Sequence, residues 1–228
     1  MRAGTSAADA NVSVTTNGEF VKTYPSIGRA IRLDVPLYVF AKYDGSNIRA
    51  EWSPREGFTR FGTRKRLLEP DHPVLGEAID LIHARYAEPL HEALSARGAP
   101  GATCYFEFYG PRSFAGNHEE EDHAVTLFDV DIARRGLLRP EEFLDWFRDL
   151  PTAEVLHHGP LDEGFVESVR ASALPGMPEE GVVCKGDLPP RRPGKAGKPV
   201  QFKIKTRAWL AGLRARCDGD ESLFNRLR

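Results

Sequence analysis

The sequence predicts an α+β fold of mainly antiparallel sheets flanked by helices. Strand-like runs are short, mix β-branched with aromatic residues and end in turn residues. Helical stretches do not alternate regularly with them, which disfavours a doubly wound parallel sheet.

Residues 37–41 and 47–52 read as the first two strands, joined through a turn signal at Asp44-Gly45. A helix is predicted over 73–97, where Leu75, Ile79, Ile82, Tyr86, Leu90 and Leu94 recur every three or four positions as one apolar stripe. Pro89 is expected to bend it. Strands over 103–108 and 125–132 follow. Pro140, suited to a first helical position, opens a second helix through Phe143, Leu144, Phe147 and Leu150. A weaker helical pattern covers 162–173. Strands over 181–185 and 200–204 are separated by a basic loop rich in proline and glycine, 189–199, which excludes helix or central strand there. The segment 207–228 carries Trp209, Leu210, Leu213, Leu223, Phe224 and Leu227 and reads as one or two helices broken near Asp218-Gly219-Asp220.

A chain of 228 residues buries roughly 70% of its unfolded surface, enough for a core with a cleft. Hydrophobic residues at 41% and charged residues at 28% exclude the disordered and membrane classes. No apolar run approaches the ~20 residues of a membrane helix. Residues 1–18 are small and polar, lack the apolar segment of a secretory signal and are expected to be a flexible tail; residues 19–228 are expected to form a single domain. A cytoplasmic location follows as the default. The cysteines, Cys104, Cys184 and Cys217, are odd in number and lack metal-ligand spacing, so neither a disulfide framework nor a structural zinc site is expected. Cys104 and Cys184 read as small core residues in strands. A net charge of -2 excludes the global basic field of a protein that coats nucleic acid. Phosphate binding must come from local clusters.

Lys42-Tyr43-Asp44-Gly45-Ser46-Asn47 lies between the first two strands. Asp44-Gly45 is a strong turn signal that would leave Lys42 at the end of one strand and Asn47 at the start of the next, with side chains able to converge. An amine attacks phosphorus only when neutral. With an ordinary pKa of ~10.4, roughly one lysine in two thousand is ready at pH 7, so burial or nearby cations must lower that value. Alone, the pattern is also satisfied by a hairpin turn with a solvated lysine.

Downstream come Thr63-Arg64-Lys65-Arg66, Tyr105-Phe106-Glu107-Phe108-Tyr109-Gly110, Leu127-Phe128-Asp129-Val130-Asp131, Glu180-Gly181-Val182-Val183-Cys184-Lys185 and Phe202-Lys203-Ile204-Lys205. Together with the Lys42 segment, this ordered set resembles motifs I, Ia, III, IIIa, IV and V of the covalent nucleotidyltransferase superfamily of ATP-dependent ligases and capping enzymes. It is most similar to the branch of double-strand-sealing RNA ligases, whose nucleophile motif reads Lys-x-x-Gly-Thr/Ser-Asn. Asn47 fills the last position, where DNA ligases and capping enzymes more often carry Arg. The likeness runs from Lys42 to Lys205.

The resemblance implies a nucleotidyltransferase fold with its active site in the cleft between sheets, as the adenylyltransferase domain only, without a separate C-terminal OB or helical domain. It implies ATP as AMP donor, magnesium or manganese, and a lysyl-AMP intermediate on Lys42. Asn47 would bond the nucleotide near its phosphate. Arg64 would contact phosphate or the incoming RNA end, although an exposed basic turn explains it as well. Glu107, in an aromatic run where an unpaired carboxylate is costly, would take a ribose hydroxyl and a metal in a later step, or else a structural salt bridge. Phe128 would stack on adenine, or else fill the core. Glu180 would handle the divalent metal and Lys185 would contact phosphate. Lys203 and Lys205 alternate with Ile204 and so face one side of a strand; there they would bind the α-phosphate and help keep Lys42 neutral, unless that face is simply solvated. Relatives often place Glu directly before the nucleophile, where this chain has Ala41.

The activity so implied is joining of RNA 3′-hydroxyl and 5′-phosphate ends, in RNA repair, with a separate strand-holding or end-processing protein as a further partner and no membrane. A small ATP-dependent DNA ligase or a capping-type guanylyltransferase remains an alternative, as does a non-catalytic module that binds nucleic-acid ends. The run His118-Glu119-Glu120-Glu121-Asp122-His123 reads as a solvated loop rather than a metal site. His157-His158, before Gly159-Pro160, is read as a strand end or turn without a role. Residues 191–198 carry basic charge that either touches RNA phosphates or is only solvated.

Overall fold

In chain order the strands are β1 (Val12–Val14), β2 (Phe20–Lys22), β3 (Leu37–Lys42), β4 (Ser46–Ser53), β5 (Gly57–Gly62), β6 (Ala102–Tyr109), β7 (Ala124–Ile132), β8 (Gly136–Leu137), β9 (Val155–Gly159), β10 (Gly181–Asp187) and β11 (Pro199–Lys205). The helices are α1 (Glu77–Ala96), α2 (Pro140–Trp146), α3 (Glu163–Arg170), α4 (Arg207–Arg216) and α5 (Glu221–Leu227). The computed structural model describes residues 12–14, 20–64, 66–111, 120–190 and 197–228. Most of the expected tail, the opening of the acidic run at His118-Glu119, Lys65, and residues 191–196 of the basic loop lie outside the described residues.

The described residues form two compact units. The first is built on a five-stranded sheet of order β5-β4-β6-β7-β8, together with the β1-β2 pair. Its strand ladders are antiparallel throughout. Alternation along β4 sends Ile48, Ala50 and Trp52 to the face that packs on the Ile79, Ile82, Tyr86 and Leu90 stripe of α1. Pro89 lies inside α1 and leaves it one backbone donor short. Helix α2 stops at Trp146, earlier than the apolar spacing through Leu150 predicts; Phe147 is its C-cap, and a turn bond from the Leu150 amide to the Phe147 carbonyl takes over.

The second unit carries a four-stranded antiparallel sheet of order β11-β10-β3-β9. Leu37, Val39, Val182, Cys184, Phe202 and Ile204 point to one face and close a core with Val166 and Val169 of α3. Trp209 and Leu213 of α4 pack with Cys217 and Phe224 in a smaller cluster. All three cysteines are free and buried.

Lys42 ends β3 and Asn47 lies at the start of β4, as the turn signal predicts. The sheet pairing excludes the alternative of a hairpin: β3 pairs with β10 and β9, whereas β4 pairs with β5 and β6. The turn carries the chain from one sheet into the other. A tight reversal is needed in either case, and local sequence does not distinguish them.

Candidate active site

In the second unit, the face of the sheet turned away from the α3 core carries Lys42 from β3 and Lys203 and Lys205 from β11. Register explains the grouping. Gly181 pairs with both Lys42 and Lys205, which sets the two lysines in one row on either side of β10. Val183, paired with Lys203 and Phe40, defines the next row, and Lys185, paired with Gln201 and Tyr38, the one after. Gly181 has φ of +130°, and a Cβ there would collide with the Ile204 carbonyl oxygen. Only glycine allows this close approach of β10 to β11.

Glu180 sits at the mouth of that row and accepts from both lysines. Lys42 Nζ lies 2.7 Å from Oε2 and Lys205 Nζ lies 2.7 Å from Oε1. The side chains of Glu180, Lys205 and Lys42 are 5%, 7% and 18% exposed. Burial works to raise the Glu180 carboxyl, but the two ammonium groups outweigh it and hold it below the usual carboxylate range. Burial also lowers Lys205, with Glu180 opposing the shift. Lys203 is lowered to about 8, by burial first and then by the like charges of Lys205 and Lys42.

Neighbouring groups fix these amines. Lys205 Nζ stands 3.6 Å from the centroid of the Trp209 ring, a cation–π contact. Thr206, fully buried, is the N-cap of α4: its hydroxyl accepts from the Trp209 amide at 3.0 Å and donates to the Glu179 carbonyl at 2.6 Å. Its own amide donates to the Glu180 carbonyl at 3.1 Å. One residue thus links the two segments that carry Glu180 and Lys205. Lys203 Nζ donates to the Arg228 carbonyl at 3.3 Å, and buried Lys185 stands 4.9 Å from the Phe40 ring centroid. Asp44 is buried and exerts a charge effect on Lys205. In sequence Trp209 reads only as an apolar residue of the 207–228 helical segment, and Thr206 carries no role, although a threonine directly before a helical run is a recognisable cap signal.

The first unit holds the other residues read from sequence. Asn47 and Glu107 are direct cross-strand partners on β4 and β6. Phe128 lies outside the apolar core, where its ring meets Tyr24 edge-on at 5.0 Å and stacks on Tyr105 at 6.4 Å. Tyr24 donates to buried Asp129 at 2.8 Å. Arg64 is exposed on the turn after β5. Among the described residues, no three His, Cys, Asp or Glu side chains gather as a metal cluster. A single buried carboxylate such as Glu180 fits an ion that arrives with its own phosphate ligands, not one held by protein alone. None of the described helices is long and apolar enough to cross a membrane.

A four-stranded and a five-stranded antiparallel sheet, besides the β1-β2 pair, with five described helices describe a nucleotidyltransferase-type α+β fold. This fold occurs in ATP-dependent RNA ligases. The chain superposes on an archaeal ATP-dependent RNA ligase with a TM-score of 0.61 and 19% identity, covering 95% of this chain and 58% of that one. It superposes on a Naegleria gruberi RNA ligase mutant with ATP and Mn at a TM-score of 0.59 and 19% identity, over 88% and 63% of the two chains. A structure of the Naegleria gruberi RNA ligase with PPi matches at 0.59 and 18% identity, over 89% and 62%. The chain therefore spans about three fifths of the length of these proteins. No family model and no curated protein matches the sequence.

Proposed function

We propose that this chain is the adenylyltransferase domain of an ATP-dependent RNA ligase, acting through a lysyl-AMP intermediate on Lys42. The observation that carries the proposal is the Lys42–Glu180–Lys205 cluster, a primary amine hydrogen-bonded to a buried carboxylate beside a second cation. The ATP, AMP, Mn and PPi of the neighbouring ligase structures support the same chemistry.

Lys42 Nζ attacks the α-phosphorus; the N–P bond forms as the bond to the bridging oxygen of pyrophosphate breaks. As an ammonium donating to Glu180, the amine has no free lone pair. An acceptor in reach of its proton is Glu180 Oε2 at 2.7 Å. Lys205 and Lys203 contribute positive charge where the α-phosphate becomes more negative. Glu180 is also the residue that would hold a divalent ion, whose bound charge neutralises the phosphates and disfavours the proton on Nζ. AMP then passes to an RNA 5′-phosphate, and a 3′-hydroxyl displaces it. Asn47, Glu107 and Phe128 are assigned to the nucleotide, Arg64 and Lys185 to phosphate.

Intact mass after incubation with ATP and magnesium tests the first step. The parent chain should gain one AMP and Lys42→Ala none; equal gain in both would overturn the assignment. GTP in place of ATP, and nicked DNA in place of nicked RNA, separate the capping and DNA-sealing alternatives.

A further inference from the structure

Arg49 is 1% exposed in the first unit, and sequence gave no hint of it. It projects from β4 on the same side as Asn47, two residues earlier, away from the Ile48 and Ala50 face that packs on α1. Its Nη1 donates to the Thr63 carbonyl, its Nε lies 3.5 Å from Glu51 Oε1, and its Nη2 is buried with no hydrogen-bond partner among the described residues. Space for the guanidinium comes from the next strand. Gly62 pairs with Arg49 across the ladder, and a Cβ on Gly62 would come within 2.6 Å of Nη2 and closer still to Nη1.

A buried guanidinium with an idle donor is a poor way to stabilise a sheet, because an apolar side chain of similar volume does so without the desolvation cost. What this one does hold is Thr63. The Thr63 amide donates to the Arg66 carbonyl at 2.9 Å and its hydroxyl accepts from the Arg66 amide at 3.3 Å. Arg49 anchors this pair through the Thr63 carbonyl. Arg64 follows Thr63 directly.

We propose that Arg49 is a positioning residue that fixes Thr63 directly after β5, and through it aims Arg64 at an RNA phosphate. The assignment of Arg64 to RNA rests on the ligase reading above; the control of Thr63 by Arg49 does not. Loss of the guanidinium frees the Thr63 carbonyl and lets Arg64 move with it, leaving the apolar face of β4 untouched.

Two measurements on the full chain separate these parts. In amide exchange, Arg49→Met and Gly62→Ala should each speed exchange across 62–66 while α1 and β6 stay protected, and Arg49→Lys, which keeps one donor for the Thr63 carbonyl, should restore part of the protection. Unchanged exchange at 62–66 in Arg49→Met overturns the inference whether or not the chain is a ligase. Direct titration with 5′-phosphorylated RNA then reads the functional half. Arg49→Met and Arg64→Ala should each weaken binding by about tenfold, the scale of one charge-assisted phosphate contact, and the double variant should bind no worse than Arg64→Ala alone. Additive losses in the double variant would overturn action through Arg64. Absence of AMP transfer by the parent chain, with the exchange result intact, would refute the ligase reading alone.

Discussion

Lys42 and Glu180, 138 positions apart in sequence, meet at 2.7 Å with the carboxylate buried and its other oxygen occupied by Lys205. A carboxylate shared by two amines explains how these charged side chains persist together in a buried row. Under the proposed mechanism, the Lys42–Glu180 contact is what must change before attack.

Glu180→Gln removes the charge and leaves the shape. Lys42 and Lys205 then repel each other with no counter-charge between them, and breaking a buried pair from one side costs about 3–5 kcal/mol. Urea unfolding should register that loss, and the variant should take up no AMP. A variant as stable as the parent would mean that solvent already screens the cluster.

Stability should rise with pH above neutrality because of Lys203. Its folded value is about 8 against an ordinary 10.5, so between those values the unfolded chain holds a proton that the folded chain has lost. Stability increases with pH wherever the unfolded state binds more protons. Below pH 8 both states are protonated and this contribution is flat, with the burial penalty fully present. Urea midpoints at pH 7.5 and 9.5 should differ less in Lys203→Met than in the parent.

The elements that were legible in sequence are those whose signal is local. The apolar stripe of α1 and the β-branched and aromatic runs of β3, β4, β6, β7, β10 and β11 appear within a few residues of the expected bounds. Strand β5 has no clear signal in sequence because its exposed Thr59 and Arg60 interrupt the apolar run between Phe58 and Phe61. Strand β9 carries His157 and His158 with no clear burial alternation, and β8 is only two residues long. Lys42, Glu180 and Lys205 are legible through the ordered motifs that carry the resemblance, and Lys203 and Lys205 also through their alternation with Ile204. Arg49 is charged too, yet its burial depends on Gly62 across a ladder, and no window of sequence contains that register.

Thr206→Val keeps volume and removes a hydroxyl with two partners, the Trp209 amide and the Glu179 carbonyl. Leaving buried groups unpaired costs about 1–3 kcal/mol. The loss should fall on catalysis as well as on stability, since the same hydroxyl ties Glu180's segment to the helix that begins beneath Lys205. The rate of AMP uptake should drop in Thr206→Val, while Thr206→Ser, which retains the bonds, should stay near the parent.

Phe128→Ala separates a ring held for the nucleotide from a ring held for the core. Phe128 stands apart from the apolar cluster that includes Leu127 and Val130, with Tyr24 and Tyr105 as its aromatic neighbours. Stacking on a base is worth about 1–3 kcal/mol, so if the ring serves adenine, ATP should bind roughly 5- to 150-fold more weakly. Core truncation of a phenylalanine instead costs about 3–5 kcal/mol of stability. Titration with ATP and urea unfolding of the same variant should give a large change in the first and a small one in the second; the reverse pattern would assign Phe128 to packing and remove it from the nucleotide site.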